Sequence, residues 1–399
     1  MTRSPRIMTV VVGMIVTGWI GLQTYRYFLD PTEPKLTITG IVDGGYYAGD
    51  IACVIASSKA GYLHLTIDDK AYADQEKITL GFYDSSYKCV ISTDSLNEGT
   101  HTLRADFTDK SIYKHKTLLV TSFTIDNTPL KVALTKTDDF KVFQGRTLHV
   151  QFQTNKAIAS ARVSALSQEY ECFPESLGSY IYEAFVPIAC EEAPNEYLFS
   201  VDIADHIGNT VTLDNKFQIV MYPFKKQNLV LDKEKVQREK TLGASMTERE
   251  KVFEDLASQS RQEKMWRGAF CTPIDIVRVT CEFGTIRTTQ EKGRYMHKAL
   301  DVVNEPKSVI WAPQSGVVVL KDRFEDTGNT VVIDHGWGLL SLFCHLDDFA
   351  DITIGQKIAQ GNPIGSLGKT GYANGYHLHW EMRLNNIPVD PMQWTKLTF

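Results

Sequence analysis

Two short segments near the C-terminus have the residue types and spacing of a metal site. His297-Lys298-Ala299-Leu300-Asp301 runs into Val302-Val303 and reads as extended chain. Side chains of a strand alternate between faces, so residues four apart point the same way. His297 and Asp301 can therefore meet one cation from one face. His377-Leu378-His379, followed by Trp380-Glu381-Met382, places two histidines two apart, again on one face of a strand. His345 closes a third strand-like run, Leu342-Phe343-Cys344. Catalytic zinc takes three protein ligands and keeps a fourth position for water. His297, Asp301 and one histidine of the His377/His379 pair supply such a set. The remaining histidines would serve as general base or as donors to a developing oxyanion. H-x-x-x-D or H-x-H alone is a weak signal. The weight comes from their meeting within residues 297–379, which hold five of the ten histidines.

The elements that must position these residues are mainly β. From Gly268 onward glycines and β-branched residues recur, as in Val317–Leu320, Thr330–Ile333 and Leu339–Phe343. From about Pro34 to Phe224 short alternating runs such as Leu36–Ile41, Ile51–Ile55, Tyr62–Ile67 and Thr102–Phe107 predict β-sandwiches. Lys225 to about Arg267 is charged and holds Gly243 as its one glycine. Thr247-x-x-Glu250 there is a capping-box pattern ahead of Val252, Phe253, Leu256 and Ala257 at helical spacing. It predicts a charged helical connector with a solvated face, the rival reading being a plug over the site.

At the N-terminus nineteen uncharged residues, Ile7–Tyr25, follow Arg3 and Arg6, long enough to span a hydrocarbon core as a helix. The charge bias keeps the short tail in the cytoplasm and exports the rest. No small-x-small cleavage site follows, so the expectation is an anchor rather than a removed signal. Export permits disulfides, and six of the seven cysteines fall in sequence-local pairs: Cys53 with Cys89, Cys172 with Cys190, Cys271 with Cys281. Cys344 is left as a buried small hydrophobe. The 42 Lys and Arg against 48 Asp and Glu give a net charge of −6, which argues against a nucleic-acid partner. A hydrophobic share of 43% excludes a mostly disordered chain. Gly368-Lys369-Thr370 imitates the end of a phosphate loop, but Pro363 stands where its first glycine belongs.

Residues from about 266 to 396 resemble the M23 metallopeptidases, the lysostaphin- or LytM-like zinc endopeptidases of peptidoglycan peptides. The motifs occur in family order. Cys281-Glu282-Phe283-Gly284 resembles the opening FG motif, and His297 and Asp301 fall on H-x-G-x-D. Gly328 to Gly336 looks like GN-x-V-x-I-x-HG, and His345-Leu346 falls on Y-x-HL. Gly365 to Gly371 follows IG-x-x-G-x-TG, His377 to Glu381 HLHFE, and Val389-Asp390-Pro391 VDP. Ala299, Phe343 and Tyr376 depart from the usual glycine, tyrosine and proline, and the arginine after the FG motif is displaced to Arg287. The first sandwich resembles bacterial immunoglobulin-like domains through Gly99-Thr100-His101-Thr102-Leu103 and Phe123-Thr124-Ile125-Asp126; the second does so more loosely.

The resemblance implies that His297, Asp301 and His379 are ligands of one zinc per chain. It makes His345 and His377 the paired histidines that activate its water, and His335 a structural residue. The implied organisation is a tail and transmembrane anchor (1–30), immunoglobulin-like domains (34–127 and 128–224), a connector (225–265) and a LytM-like antiparallel β peptidase domain (266–399). The implied function is an endopeptidase, single-pass in the inner membrane with its catalytic domain in the periplasm, acting on peptidoglycan peptides and open to a regulatory protein partner. The alternative is a non-enzymatic LytM-type regulator that activates cell-wall amidases.

Overall fold

The computed structural model describes residues 5–79, 86–136, 140–229, 233–289 and 293–396. It is mainly β and divides into two units, Met1–Leu130 with Asp205–Asn209, and Lys131–Ala204 with Thr210–Phe399.

In the first unit a helix, α1 (Pro5–Thr24), precedes two facing sheets. Leu36–Thr39, Ile51–Ser57 and Ser86–Ile91 form one; Gly45–Tyr47, Gly61–Ile67, Lys70–Ile78, Gly99–Asp109 and Lys116–Ile125 form the other. Alternation makes the sandwich. Ile51, Cys53 and Ile55 turn inward from one sheet, and Leu63, Leu65, Leu103, Phe107 and Phe123 from the other. The expected spanning segment Ile7–Tyr25 lies partly outside the described side chains. Among the described residues no helix is long and apolar enough to cross a membrane.

The expected disulfides are absent, since all seven cysteines carry free thiols. Cys53 and Cys89 do sit opposite each other in adjacent strands. The other pairs are separated by the fold. Cys271 turns its thiol to the Pro313 carbonyl at 3.3 Å, whereas Cys281 stands across from Asp301. The Cys172 backbone bonds to Ala161, while the Cys190 thiol lies against Gly145.

The second unit joins a further pair of sheets, of five and four strands, to the C-terminal sheet. That sheet is built from β1 (Arg278–Cys281), β2 (Leu300–Val303), β3 (Gly316–Phe324), β4 (Gly328–Asp334), β5 (Leu339–Leu346), β6 (Lys357–Ile358), β7 (Leu378–Leu384) and β8 (Ile387–Val389). Their order is β1-β2-β7-β5-β4-β3-β6, with β8 beside β7. One face carries Leu300, Val302, Val331, Phe343, Leu378 and Trp380 into the main core, where Phe185 of the neighbouring sandwich meets Trp266 and Trp394. Gln393 exchanges two hydrogen bonds with the Thr147 backbone, at 2.7 and 2.8 Å, across the same junction. The second sandwich is thus fused to the C-terminal sheet through shared core.

The other face of the sheet bears Leu320, Val332, Leu340 and Leu342, covered by Phe253. Phe253 belongs to α2 (Lys233–Ser258), so the expected solvated connector is docked at its C-terminal end. The capping-box expectation also changes. The helix starts well before Thr247, whose hydroxyl donates to the Gly243 carbonyl one turn back.

Glu183 ties the sandwich to the segment leading into the C-terminal sheet. It is fully buried, accepts from His149 at 2.9 Å and pairs with Lys264. Burial pushes its carboxyl up, but the bonds from His149 and Lys264 and the lysine charge outweigh this and hold it below its ordinary 4.5. A depressed folded pKa adds stability above the unfolded value that is lost as pH falls through the folded one. The melting temperature of the wild type should therefore fall more steeply below about pH 4.5 than that of Glu183→Gln. Parallel curves for the two proteins would contradict the assignment.

Candidate metal centre

Four neighbouring strands set one row of side chains on the sheet face opposite the main core. Cys281 on β1 is in register with Asp301 on β2, which is in register with His379 on β7, which faces Cys344 on β5. Directly opposed residues share a face. The alternate positions Leu300, Val302, Leu378 and Trp380 are core, and this burial locks the register. His297 precedes β2. The turn at Glu282–Thr285 clamps its backbone: Gly284 N donates to the His297 carbonyl at 2.7 Å, and His297 N donates to Thr285 at 2.9 Å. Gly284 takes φ +75 there, with the Phe224 ring against it.

Four side chains converge on the Asp301 carboxylate. His297 Nε2 lies 3.1 Å from Oδ2, His379 Nδ1 2.9 Å from Oδ1, and His377 Nε2 4.0 Å from Oδ1. Arg287 approaches Oδ2 to 3.5 Å. The displaced arginine of the sequence thus still reaches the site. Burial pushes the Asp301 carboxyl up, but hydrogen bonds from His297 and His379 and their charges hold it well below the usual carboxylate range. Burial works against charging His379, yet Asp301 and Glu381 raise it to about 9.

His345 arrives by a different route. Strand alternation from Phe343 would turn it into the core. Instead it takes φ +63 at an irregularity of β5, and its backbone N donates to Thr327 at 2.8 Å. The bend re-aims the side chain onto the site face. Its ring centroid then lies 4.7 Å from His377 and 5.9 Å from His379. His345 Nδ1 donates to the Thr370 carbonyl at 2.8 Å and His377 Nδ1 to the Gly375 carbonyl at 2.9 Å. A carbonyl only accepts, so both rings carry hydrogen on Nδ1, and Nε2 is the nitrogen left free of these backbone bonds. Burial, followed by the charges of His379 and His377, lowers His345 to about 3. Two glycines allow the support loop to close. A Cβ at Gly328 would lie 2.4 Å from the Thr370 carbonyl carbon, and one at Gly371 would lie 2.5 Å from the Asp326 oxygen. His335 stands apart, donating to Ser315 and accepting from Ser341, both at 2.8 Å.

The donors fit a zinc ion. Two imidazoles and one carboxylate face each other in a buried site, and the carboxylate already gathers positive charge from both rings. Glu381 Oε2 lies 3.8 Å from His379 Nε2 and favours the proton there, leaving Nδ1 for a cation. Glu381 is in turn bonded by Arg383 at 2.6 Å, and Arg383 by Glu250 of α2 at 2.8 Å. Arg249 of α2 pairs with the buried Asp326. Glu381 and Arg383 were given no role by sequence reasoning, although their spacing of two and four from His379 on one strand was a readable sign.

The comparisons with known proteins fall on this region. The model of peptidase family M23 matches residues 295–391. Those residues form a family M23 peptidase domain. The chain is 33% identical over 121 residues to peptidoglycan DD-endopeptidase ShyC of Vibrio cholerae, covering 30% of this chain and 28% of that protein. It is 31% identical over 120 residues to DD-carboxypeptidase/endopeptidase Mpg of Neisseria meningitidis, covering 30% and 27%. It is 28% identical over 105 residues to murein hydrolase activator EnvC of Escherichia coli, covering 26% and 25%. The matched part spans less than about a third of each relative's own length.

Removing the carboxylate behind His379 should loosen the M23 centre without removing a donor. Glu381→Gln should weaken zinc binding about 10- to 100-fold in competition with a chelating dye. Unchanged affinity would show that Glu381 serves packing alone.

Proposed function

We propose that the chain is a zinc metalloendopeptidase that hydrolyses peptide bonds of bacterial peptidoglycan. The observation that carries this reading is the convergence of His297, His377 and His379 on Asp301, with His345 against His377. His297, Asp301 and His379 would hold a zinc ion, which would supply Lewis acidity for the scissile carbonyl and lower the pKa of water towards about 7. The chain's own residues do the rest. His345 and His377 each have Nδ1 committed to a backbone carbonyl, so Nε2 of one would take the proton of the attacking water. Once protonated, either ring can donate to the developing oxyanion or to the leaving amine.

In this reading the substrate is the peptide part of peptidoglycan, a view supported by the likeness to the DD-endopeptidase ShyC and the DD-carboxypeptidase/endopeptidase Mpg. The uncharged N-terminal segment after Arg3 and Arg6 would hold the chain in the inner membrane, with the M23 domain in the periplasm. The sandwiches would be immunoglobulin-like spacers. The likeness to EnvC keeps a second reading open, a non-enzymatic activator of cell-wall amidases working through a protein partner.

Purified sacculi incubated with the full chain should release defined peptide fragments, identified by mass. His379→Ala should lose both zinc and product. His377→Ala should keep zinc and lose about 10²- to 10⁴-fold in rate, as expected for a general acid–base group. Zinc-loaded protein that releases nothing, yet stimulates an amidase equally well as His377→Ala, would favour the activator.

A further inference from the structure

We propose that Arg249 of α2 is a positioning residue for His345, acting through Asp326 on the backbone that aims the ring. The proposal rests on the reading of His345 as a group that moves protons in peptide hydrolysis. Arg249 lies outside residues 295–391, the segment matched by the M23 model, so no family motif gives it a role.

His345 needs support of this kind. Its φ of +63 is a left-handed conformation that a residue with a Cβ rarely adopts. Such backbone persists only where its surroundings over-determine it, and here two carbonyls do so. The Thr327 carbonyl accepts from His345 N at 2.8 Å, and the Thr370 carbonyl accepts from the ring Nδ1 at 2.8 Å. Both lead back to Asp326. Thr327 is its chain neighbour, and the Asp326 carbonyl accepts from Tyr372 N, two residues beyond Thr370, at 2.7 Å. The 326–327 corner therefore holds His345 by its backbone and by the partner of its ring.

That corner is fixed in turn from α2. The Asp326 side chain is 8% exposed and pairs with the Arg249 guanidinium, itself 10% exposed. Taking one partner from a buried ion pair leaves the other charge uncompensated, so the corner must shift. Arg249 is itself held on two sides. Its guanidinium lies 5.4 Å from the centroid of the Phe253 ring and donates to Glu250 at 2.6 Å. Phe253, one turn along the same helix face, is buried against the sheet. Arg249 thus transmits the docking of α2 to the corner. A separate chain of contacts, Glu250 to Arg383 to Glu381, reaches His379. Neighbouring residues of one helix turn support a metal donor and a proton-moving ring by different arms.

Full-length protein carrying isotope-labelled histidine, kept free of metal, tests this by nuclear magnetic resonance without turnover. The His345 Nδ1 proton, bonded to Thr370, should give a resolved signal, assigned by its absence from His345→Gln. Arg249→Ala should lose or broaden that signal, and Arg249→Lys, which keeps a cation toward Asp326, should restore it. With zinc supplied, Arg249→Ala should lose about 10²-fold in kcat with KM and zinc affinity unchanged. Glu381→Gln should do the reverse, losing affinity and keeping the His345 signal. Asp326→Asn should match Arg249→Ala, and the double variant should lose no more than either alone, because both cut one chain of contacts.

A wild-type His345 signal in Arg249→Ala and Asp326→Asn would overturn the proposal. Equal losses of kcat and zinc affinity in Arg249→Ala would also overturn it, marking Arg249 as a support of the whole domain. Should Arg249→Ala fail to fold, the His345 signal in Asp326→Asn decides, its loss supporting the proposal and its retention overturning it. Wild type that releases no peptide refutes the endopeptidase reading, while the signal in the variants still decides what Arg249 does.

Discussion

A carboxylate held in the interior between two imidazoles is the constraint on which the M23 domain turns. Asp301 alone in that position would carry a desolvation penalty of several kcal/mol, and removing a partner from such a buried pair costs about 3–5 kcal/mol. His297 and His379 answer it from opposite sides at 3.1 and 2.9 Å. Meeting His379 needs β2 and β7 in one register, because a slip of one residue would turn Asp301 into the core and Leu300 or Val302 onto the site. The apolar face of the sheet thus enforces the polar one. The same core burial that stabilises the fold determines which side chains meet a cation.

Support for this row comes from both neighbours of the sheet. On the site face, Arg383 is shared between Glu381 and Glu250, so the carboxylate behind His379 is tied to α2. Phe253 fixes α2 to the sheet by burial worth on the order of 2 kcal/mol. On the core face, Phe185 and Glu183 lock the second sandwich against Trp266, Trp394 and Lys264. Both elements read from sequence as a connector and a spacer are structural parts of the unit that carries the site.

Much of the site was legible because strand periodicity is simple. His297 with Asp301, and His377 with His379, follow from side chains two and four apart on one face. His345 was not legible that way, since alternation from Phe343 points it inward and only a left-handed backbone turns it out. Motif order located it where periodicity could not. Cys281 was misread as half of a disulfide because Cys271 is near in sequence, whereas Asp301 is near across the strand pair. The inward alternation of Ile51, Cys53 and Ile55 was plain. The docking of α2 was half visible: Val252, Phe253, Leu256 and Ala257 stood at helical spacing and do pack on the sheet, but the charge around them reads as a solvated helix.

The most direct test of the account is equilibrium dialysis against zinc, with metal content measured for wild type and Asp301→Asn. Asparagine keeps the shape of the side chain and removes the charge that draws His297 and His379 together. The account predicts one zinc per wild-type chain and none retained by Asp301→Asn under the same conditions. Zinc held equally by both proteins would contradict it.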